Sequence, residues 1–171
     1  MFVLRISPSG ELLHEAMFTG FPRGRYEPPL NGNPVVLPNG DIFIGFFQHS
    51  INGSIVPVPQ VALLGPTLEV KWVRHAKAEG TLLGLANSKD GNVYTFIQGT
   101  RIGNTTGYEI PCLQKWTPDG DTLWMVETER YGGPLFYDMD VLNNGLIAVS
   151  YSPNVNSSYL AFFTPEGRRI R

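Results

Sequence analysis

The chain has 171 residues, a formal net charge of −2 and one cysteine, Cys112. This length suits a single domain, the weak negative charge argues against nucleic acid or an anionic membrane as a partner, and a lone cysteine excludes an internal disulfide. There is no signal-peptide pattern and no apolar run of membrane-spanning length, so we expect a soluble protein. Its location stays open, with cytoplasmic or virion-associated as the expectation.

Only 16% of the residues are charged, whereas glycine (19) and proline (14) are plentiful. Charged residues usually make up about 25% of a globular domain. Many turns and little charged helix surface indicate a chain of many short strands.

The first predicted element is a strand pair in FVLRISPSGELLHEA, joined by a Pro-Ser-Gly turn. Such Pro-x-Gly turns follow from the fixed φ of proline and the left-handed conformation open to glycine. The turn recurs with its proline at 8, 66, 118 and 165, although Leu68 replaces the glycine in the second copy. Six residues after these prolines come His14, Trp72, Trp124 and Arg171.

A second landmark appears in LPNGDIFIGFF, SKDGNVYTFIQG and LNNGLIAVSYS, where Asn-Gly or Asp-Gly separates two apolar runs. This dipeptide predicts hairpins with type I′ turns, which need positive φ at both central residues. A third landmark is a polar triplet that begins at Asn52, Asn104 and Asn156. We interpret these triplets as tight loops between the second and third strands rather than glycosylation sites.

Together the landmarks define units of four antiparallel strands: a half unit over 1–18, then 34–76, 83–130 and 138–171. Four strands repeated at about 40–50 residues are typical of a β-propeller. We therefore predict one all-β domain, 1–171, of propeller type with about three and a half blades. The L-P-N-G-x-I and x-P-D-G-x-x-x-W motifs resemble blades of bacterial propellers of the quinoprotein-like, NHL-like and arylsulfotransferase-like kinds.

Closed propellers carry 4–8 blades, so three and a half leave the ring incomplete. We expect self-association, in which two copies make a ring of six to eight blades, because closed homo-oligomers are common. The alternative is that the chain is a piece of a longer propeller.

The sequence contains no familiar catalytic motif, and we predict no cofactor and no metal. A weak cation candidate is the pair Asp138 and Asp140, which share one face of a strand. The structural interpretation is favoured for the aromatic and sulfur side chains: Trp72 and Trp124 pack the blades, Trp116 is a core residue, and Cys112 is a buried thiol.

We predict that the contact surface lies on the loops that connect successive units. These loops and the Asn triplets together form what we call the loop face. Arginine and aromatic residues suited to interfaces lie in them: Arg23, Arg25, Tyr26, Arg74, His75, Arg130 and Tyr131. The predicted function is a non-catalytic interaction or structural module, for example a virion or scaffold component, that binds itself and another protein or a glycan. The alternatives are a glycan-binding propeller lectin and a fragment of an arylsulfotransferase-like or quinoprotein-like enzyme.

Overall fold

A computed structural model describes residues 2–17, 26–27, 34–48, 58–78, 80–100, 109–128, 135–154 and 157–170. Over these ranges the chain forms fifteen β-strands in four open antiparallel sheets and no helix. The predictions of an all-β fold and of four-stranded antiparallel sheets are confirmed. Within this part of the chain no helix has the length and apolarity that crossing a membrane requires.

The first two sheets come from the N-terminal half of the chain. Sheet I pairs β1 (Phe2–Ile6) with β2 (Leu12–Met17). Sheet II has the order β3-β5-β6-β7, and β4 also pairs with β5. Its strands are β3 (Tyr26–Glu27), β4 (Val35–Val36), β5 (Ile42–Gln48), β6 (Val58–Leu64) and β7 (Val70–His75). Since β3 and β4 pair with opposite ends of β5, together they take the place of one first strand.

The next two sheets each have four strands in sequence order. Sheet III contains β8 (Gly80–Asn87), β9 (Val93–Thr100), β10 (Glu109–Trp116) and β11 (Thr122–Glu127). Sheet IV contains β12 (Leu135–Val141), β13 (Ile147–Asn154), β14 (Ser157–Phe163) and β15 (Arg169–Ile170). Sheets II, III and IV therefore repeat one meander.

The turns between the first and second strands are not of type I′, so that prediction is wrong. Gly40 has φ of 85°, but Asn39 before it does not have positive φ. Instead the Gly40 amide donates to the Leu37 carbonyl at 2.9 Å, and the Leu37 amide donates to the Asp41 carbonyl at 2.8 Å. The Asn39 Oδ1 accepts the Asp41 amide at 3.0 Å, which stabilises the turn with one left-handed residue. The turns at Gly91 and Gly145 are bonded in the same way.

The sheets pack face to face in chain order, and each of the three junctions holds its own hydrophobic cluster. Between sheets I and II, Val3 and Ala16 pack against a buried cluster of sheet II that includes Leu64 and Leu68. The strands at one edge also meet, since β4 contacts β8 and β8 contacts β12. Each internal sheet is therefore covered on both faces, whereas sheets I and IV are covered on one.

Candidate assembly surfaces

The junctions between sheets II and III and between sheets III and IV share a hydrogen bond that we call the latch. The Trp72 indole in β7 donates from Nε1 to the Pro118 carbonyl, in the β10–β11 turn of the next sheet, at 3.0 Å. The Trp124 indole in β11 donates to the Pro165 carbonyl in the β14–β15 turn at 3.1 Å. The donor belongs to the earlier sheet and the acceptor to the later one.

Each of these indoles also lies over the glycine of the turn that it bonds. A Cβ atom added to Gly120 would lie 3.1 Å from the Trp72 ring, and one added to Gly167 would lie 3.1 Å from the Trp124 ring. Both glycines have positive φ, which favours glycine for a second reason. The prediction that Trp72 and Trp124 pack between sheets is confirmed.

The junction between sheets I and II uses different side chains. His14 stands where the other sheets have tryptophan, and the latch donor is the Arg5 guanidinium, which bonds the Pro66 carbonyl. Leu68 stands where the other turns have glycine, with φ of 67°. Because no indole covers this turn, the buried Leu68 side chain fills the space and packs against sheet I.

Two faces at the ends of the stack expose positions that are buried elsewhere. The residue two before the turn proline is buried in three sheets, as Leu64, Trp116 and Phe163, but the equivalent Ile6 in sheet I is 56% exposed. We define the head face as the outward side of sheet I, with the exposed side chains Leu4, Ile6, Leu12 and Met17. This face corresponds to the one that sheets II to IV turn towards the preceding sheet.

The opposite end shows the complementary pattern. The residue five before the turn proline is fully buried as Val61 and Leu113, but Leu160 in sheet IV is 59% exposed. We define the tail face as the outward side of sheet IV, with Leu160, Phe162 and Ile170 beside the acidic Asp138 and Asp140. It corresponds to the face that sheets II and III turn towards the following sheet.

The acidic pair Asp138 and Asp140 lies on the first strand of the tail face, as predicted from its spacing. Both side chains are exposed. Each bonds the next amide in the chain: Asp138 Oδ1 accepts from Met139 at 2.8 Å, and Asp140 Oδ1 accepts from Val141 at 2.7 Å. In the described ranges, no group of three or more His, Cys, Asp or Glu side chains is placed to hold a metal ion.

Most of the loop-face residues lie outside the described residues, namely Arg23, Arg25, Arg130 and Tyr131, and only the backbone of Tyr26 is described, in β3. Arg74 and His75 are exposed at the end of β7. The Arg74 guanidinium lies 5.7 Å from the centre of the Trp72 ring, where it covers the latch in a cation–π contact. The loop face stays a prediction.

Cys112 lies at a buried position in β10, as expected. Burial, with a smaller effect of the nearby Glu127 carboxylate, raises the pKa of the Cys112 thiol to about 11. A neutral thiol is a poor nucleophile and a poor metal ligand, so the side chain acts as a small apolar group. Trp116, in the same strand, is fully buried.

Sequence reasoning missed a cleft of about 330 Å³ between the β8–β9 and β12–β13 turns. Asp90, Tyr94, Asn144 and Pro165 are among its lining residues. Burial works to raise the pKa of Asp90, but hydrogen bonds from Ser88 and Asn92 outweigh it and hold that pKa below the usual range. The Asp90 oxygens are thus engaged within their own turn.

Comparison with known proteins establishes a resemblance of fold alone. No protein-family model matches the chain, and no curated protein matches it. A crystal structure of a protein of unknown function from Bacteroides caccae is similar, with a TM-score of 0.55 and 16% sequence identity. The similarity covers 97% of this chain and 51% of that one, so this chain spans about half the length of its structural neighbour.

Proposed function

We propose that this chain is a non-catalytic structural module whose sheets are the blades of an incomplete β-propeller. In this proposal, two copies join head face to tail face and complete one ring. The observation that carries it is the exposure of Ile6 and Leu160 at repeat positions that are buried in the internal sheets.

Three features support the blade arrangement. The strands of sheets III and IV follow sequence order, as in propeller blades. Contacts from β4 to β8 and from β8 to β12 place the first strands of successive sheets side by side, as expected around a common axis. The structural neighbour is about twice as long, so two copies of this chain would match its length.

A second copy is the occupant that suits both ends. The head face matches the sides that receive a preceding sheet, and the tail face matches the sides that receive a following sheet. One chain therefore carries both halves of a sheet junction. Complete burial of a large aliphatic side chain contributes roughly 1.5–3 kcal/mol. Ile6 and Leu160 are each more than half exposed, so burying the exposed part at the contact would contribute about half of that free energy.

The charges on the two faces are compatible with this contact. Glu15 lies on β2, the outer strand of sheet I, whereas Asp138 and Asp140 lie on β12, at the inner edge of sheet IV. Sheets stacked in the order seen inside the chain would hold these acids apart by about three strand spacings, or roughly 14 Å. At physiological salt, repulsion over that distance is largely screened.

The test is the solution mass, measured by light scattering and sedimentation velocity over a wide range of concentration. We expect twice the mass of one chain, and a shift towards one chain in Ile6→Gln and in Leu160→Gln. The matched control is Leu123→Gln, because Leu123 is 53% exposed but lies on β11 of an internal sheet. That variant should associate like the wild type.

Mixing the two variants separates head-to-tail contact from the other arrangements. A mixture of Ile6→Gln and Leu160→Gln holds one unaltered head face and one unaltered tail face, so it should form mixed pairs that neither variant forms alone. A wild type that stays a single chain at every concentration would refute the proposal. An open series of larger masses would refute closure by two copies, because head-to-tail contacts that do not close make filaments.

A further inference from the structure

We infer that the Ser7–Gly10 turn of sheet I is a socket for a planar side chain from the second copy, which covers Gly10 and donates a hydrogen bond to the Pro8 carbonyl. This inference rests on the proposed ring and specifies its contact. It assigns a fourth latch, at the contact between the two copies.

The occupied sockets inside the chain define what such a turn binds. In sheets III and IV, the turn proline carbonyl accepts the indole N–H from the preceding sheet, and the turn glycine lies beneath the ring. The turn of sheet II differs, because sheet I has His14 at the tryptophan position. There the side chain of Leu68, in place of glycine, fills the socket. A glycine at this position therefore accompanies a large flat side chain above it.

The turn of sheet I has the form of an occupied socket but is open. Its backbone matches the others: the Ser7 amide donates to the Glu11 carbonyl at 2.8 Å, and the Gly10 amide donates to the Ser7 carbonyl at 2.9 Å. Gly10 has φ of 87°. An added Cβ atom there would meet no atom within 4 Å, and among the described residues no group donates to the Pro8 carbonyl.

The position of the donor in sheet IV follows from the three junctions already present, where four side chains donate to three proline carbonyls, because Lys115 bonds the Pro165 carbonyl beside Trp124 at 3.4 Å. Donors come from two places in a sheet: three residues before the turn proline, as Arg5 and Lys115, or six residues after it, as Trp72 and Trp124. In sheet IV the first place holds Phe162, whose side chain has no polar hydrogen to donate.

The second place, six residues after the turn proline, falls on Arg171, which lies outside the described residues and is assigned from its sequence position alone. A guanidinium is flat and offers five N–H donors, so it meets both requirements of the socket. Arginine already serves as the latch donor at the first junction, where Arg5 bonds the Pro66 carbonyl.

The experiment measures the dissociation constant of the pair by sedimentation equilibrium. Loss of a hydrogen bond from a charged donor should weaken association about tenfold or more in Arg171→Ala. Arg171→Trp restores the indole of the other junctions and should associate at least as well as wild type. Arg168→Ala is the matched control, since it removes the same charge from an exposed neighbour and should leave association unchanged.

Gly10→Leu gives a test from the acceptor side, because it should close the socket as Leu68 does and weaken association. Circular dichroism and the unfolding midpoint of each variant show whether the fold is kept. One outcome would overturn the socket and leave the ring proposal standing: the wild type pairs, Ile6→Gln does not, and both Arg171→Ala and Gly10→Leu still do. A wild type that does not pair would overturn both.

Discussion

One buried hydrogen bond in sheet III should show a strong coupling between its two partners. The Trp116 indole donates from Nε1 to the Thr95 Oγ1 at 3.0 Å, and both side chains are fully buried. Trp116→Phe leaves the threonine hydroxyl without its donor, and Thr95→Val leaves the indole N–H without its acceptor. Because water does not reach either group, each single substitution creates one unsatisfied polar group.

The expected magnitudes follow from this geometry. An unsatisfied buried donor or acceptor costs about 1–3 kcal/mol in the free energy of unfolding. Trp116→Phe adds about 1 kcal/mol for the cavity left by the missing ring. In the double variant neither polar group remains, so only the cavity cost is expected. The double variant should therefore be more stable than the sum of the single losses predicts by both polar penalties together, about 2–6 kcal/mol.

The assay is urea unfolding of the wild type, both single variants and the double variant. Far-UV circular dichroism is the signal, since Trp116→Phe removes a fluorophore. Constant slopes against urea are required, because a changed slope would mean that the unfolding reaction itself has changed. A cycle that is additive to within about 0.5 kcal/mol would refute the reasoning, since it would show that the two buried groups do not depend on each other.

Two further predictions concern a turn glycine and the cysteine. Gly167→Ala should destabilise the fold by about 1–2 kcal/mol more than Gly145→Ala: both glycines have φ of 83°, but only at Gly167 would the new Cβ press on Trp124, at 3.1 Å. Equal losses in urea unfolding would contradict this. Cys112 should react with iodoacetamide only as fast as the protein unfolds. Since its pKa is raised from 9.0 to about 11, the stability that its neutral thiol contributes should be complete below pH 9 and fall as pH rises towards 11. Cys112→Ala should lack this part of the fall, and rapid labelling of the folded protein would contradict the buried thiol.

The strand pattern could be predicted because its causes are local. Pro-x-Gly and Asn-Gly turns fix where strands begin and end, and the alternation of apolar residues fixes their faces. The apolar runs predicted as second strands coincide with β5, β9 and β13. The turn type was not predictable from the dipeptide alone, because the Asn39 side chain supplies a bond that removes the need for a second positive φ.

The latches could not be predicted, because their acceptors are backbone carbonyls far away in the sequence. Trp72 and Pro118 are 46 residues apart, and a carbonyl carries no signature of its own. The recurrence of tryptophan predicted packing but not the hydrogen bond. A usable signal was present at Leu68: the one turn that lacks glycine follows the one strand pair that has His14 in the tryptophan position.

The exposure of the head and tail faces depends on the absence of a neighbouring sheet rather than on the sequence of their own strands. Ile6 and Leu64 occupy the same repeat position and are both apolar, but only the presence of a neighbouring sheet buries Leu64. Aligned repeats show which positions are suited to burial against a neighbouring sheet. They do not show at which of these positions such a sheet is present.

The order of donor and acceptor in the latches gives the stack of sheets a polarity. Every such bond points from an earlier sheet to a later one, as from Trp124 to Pro165. Two chains meeting with like ends would therefore bring donor to donor or carbonyl to carbonyl in a dry contact, where an unanswered polar group is costly. A whole sheet can be added or removed without reversing that direction, so the same kind of contact suits stacks with different numbers of sheets.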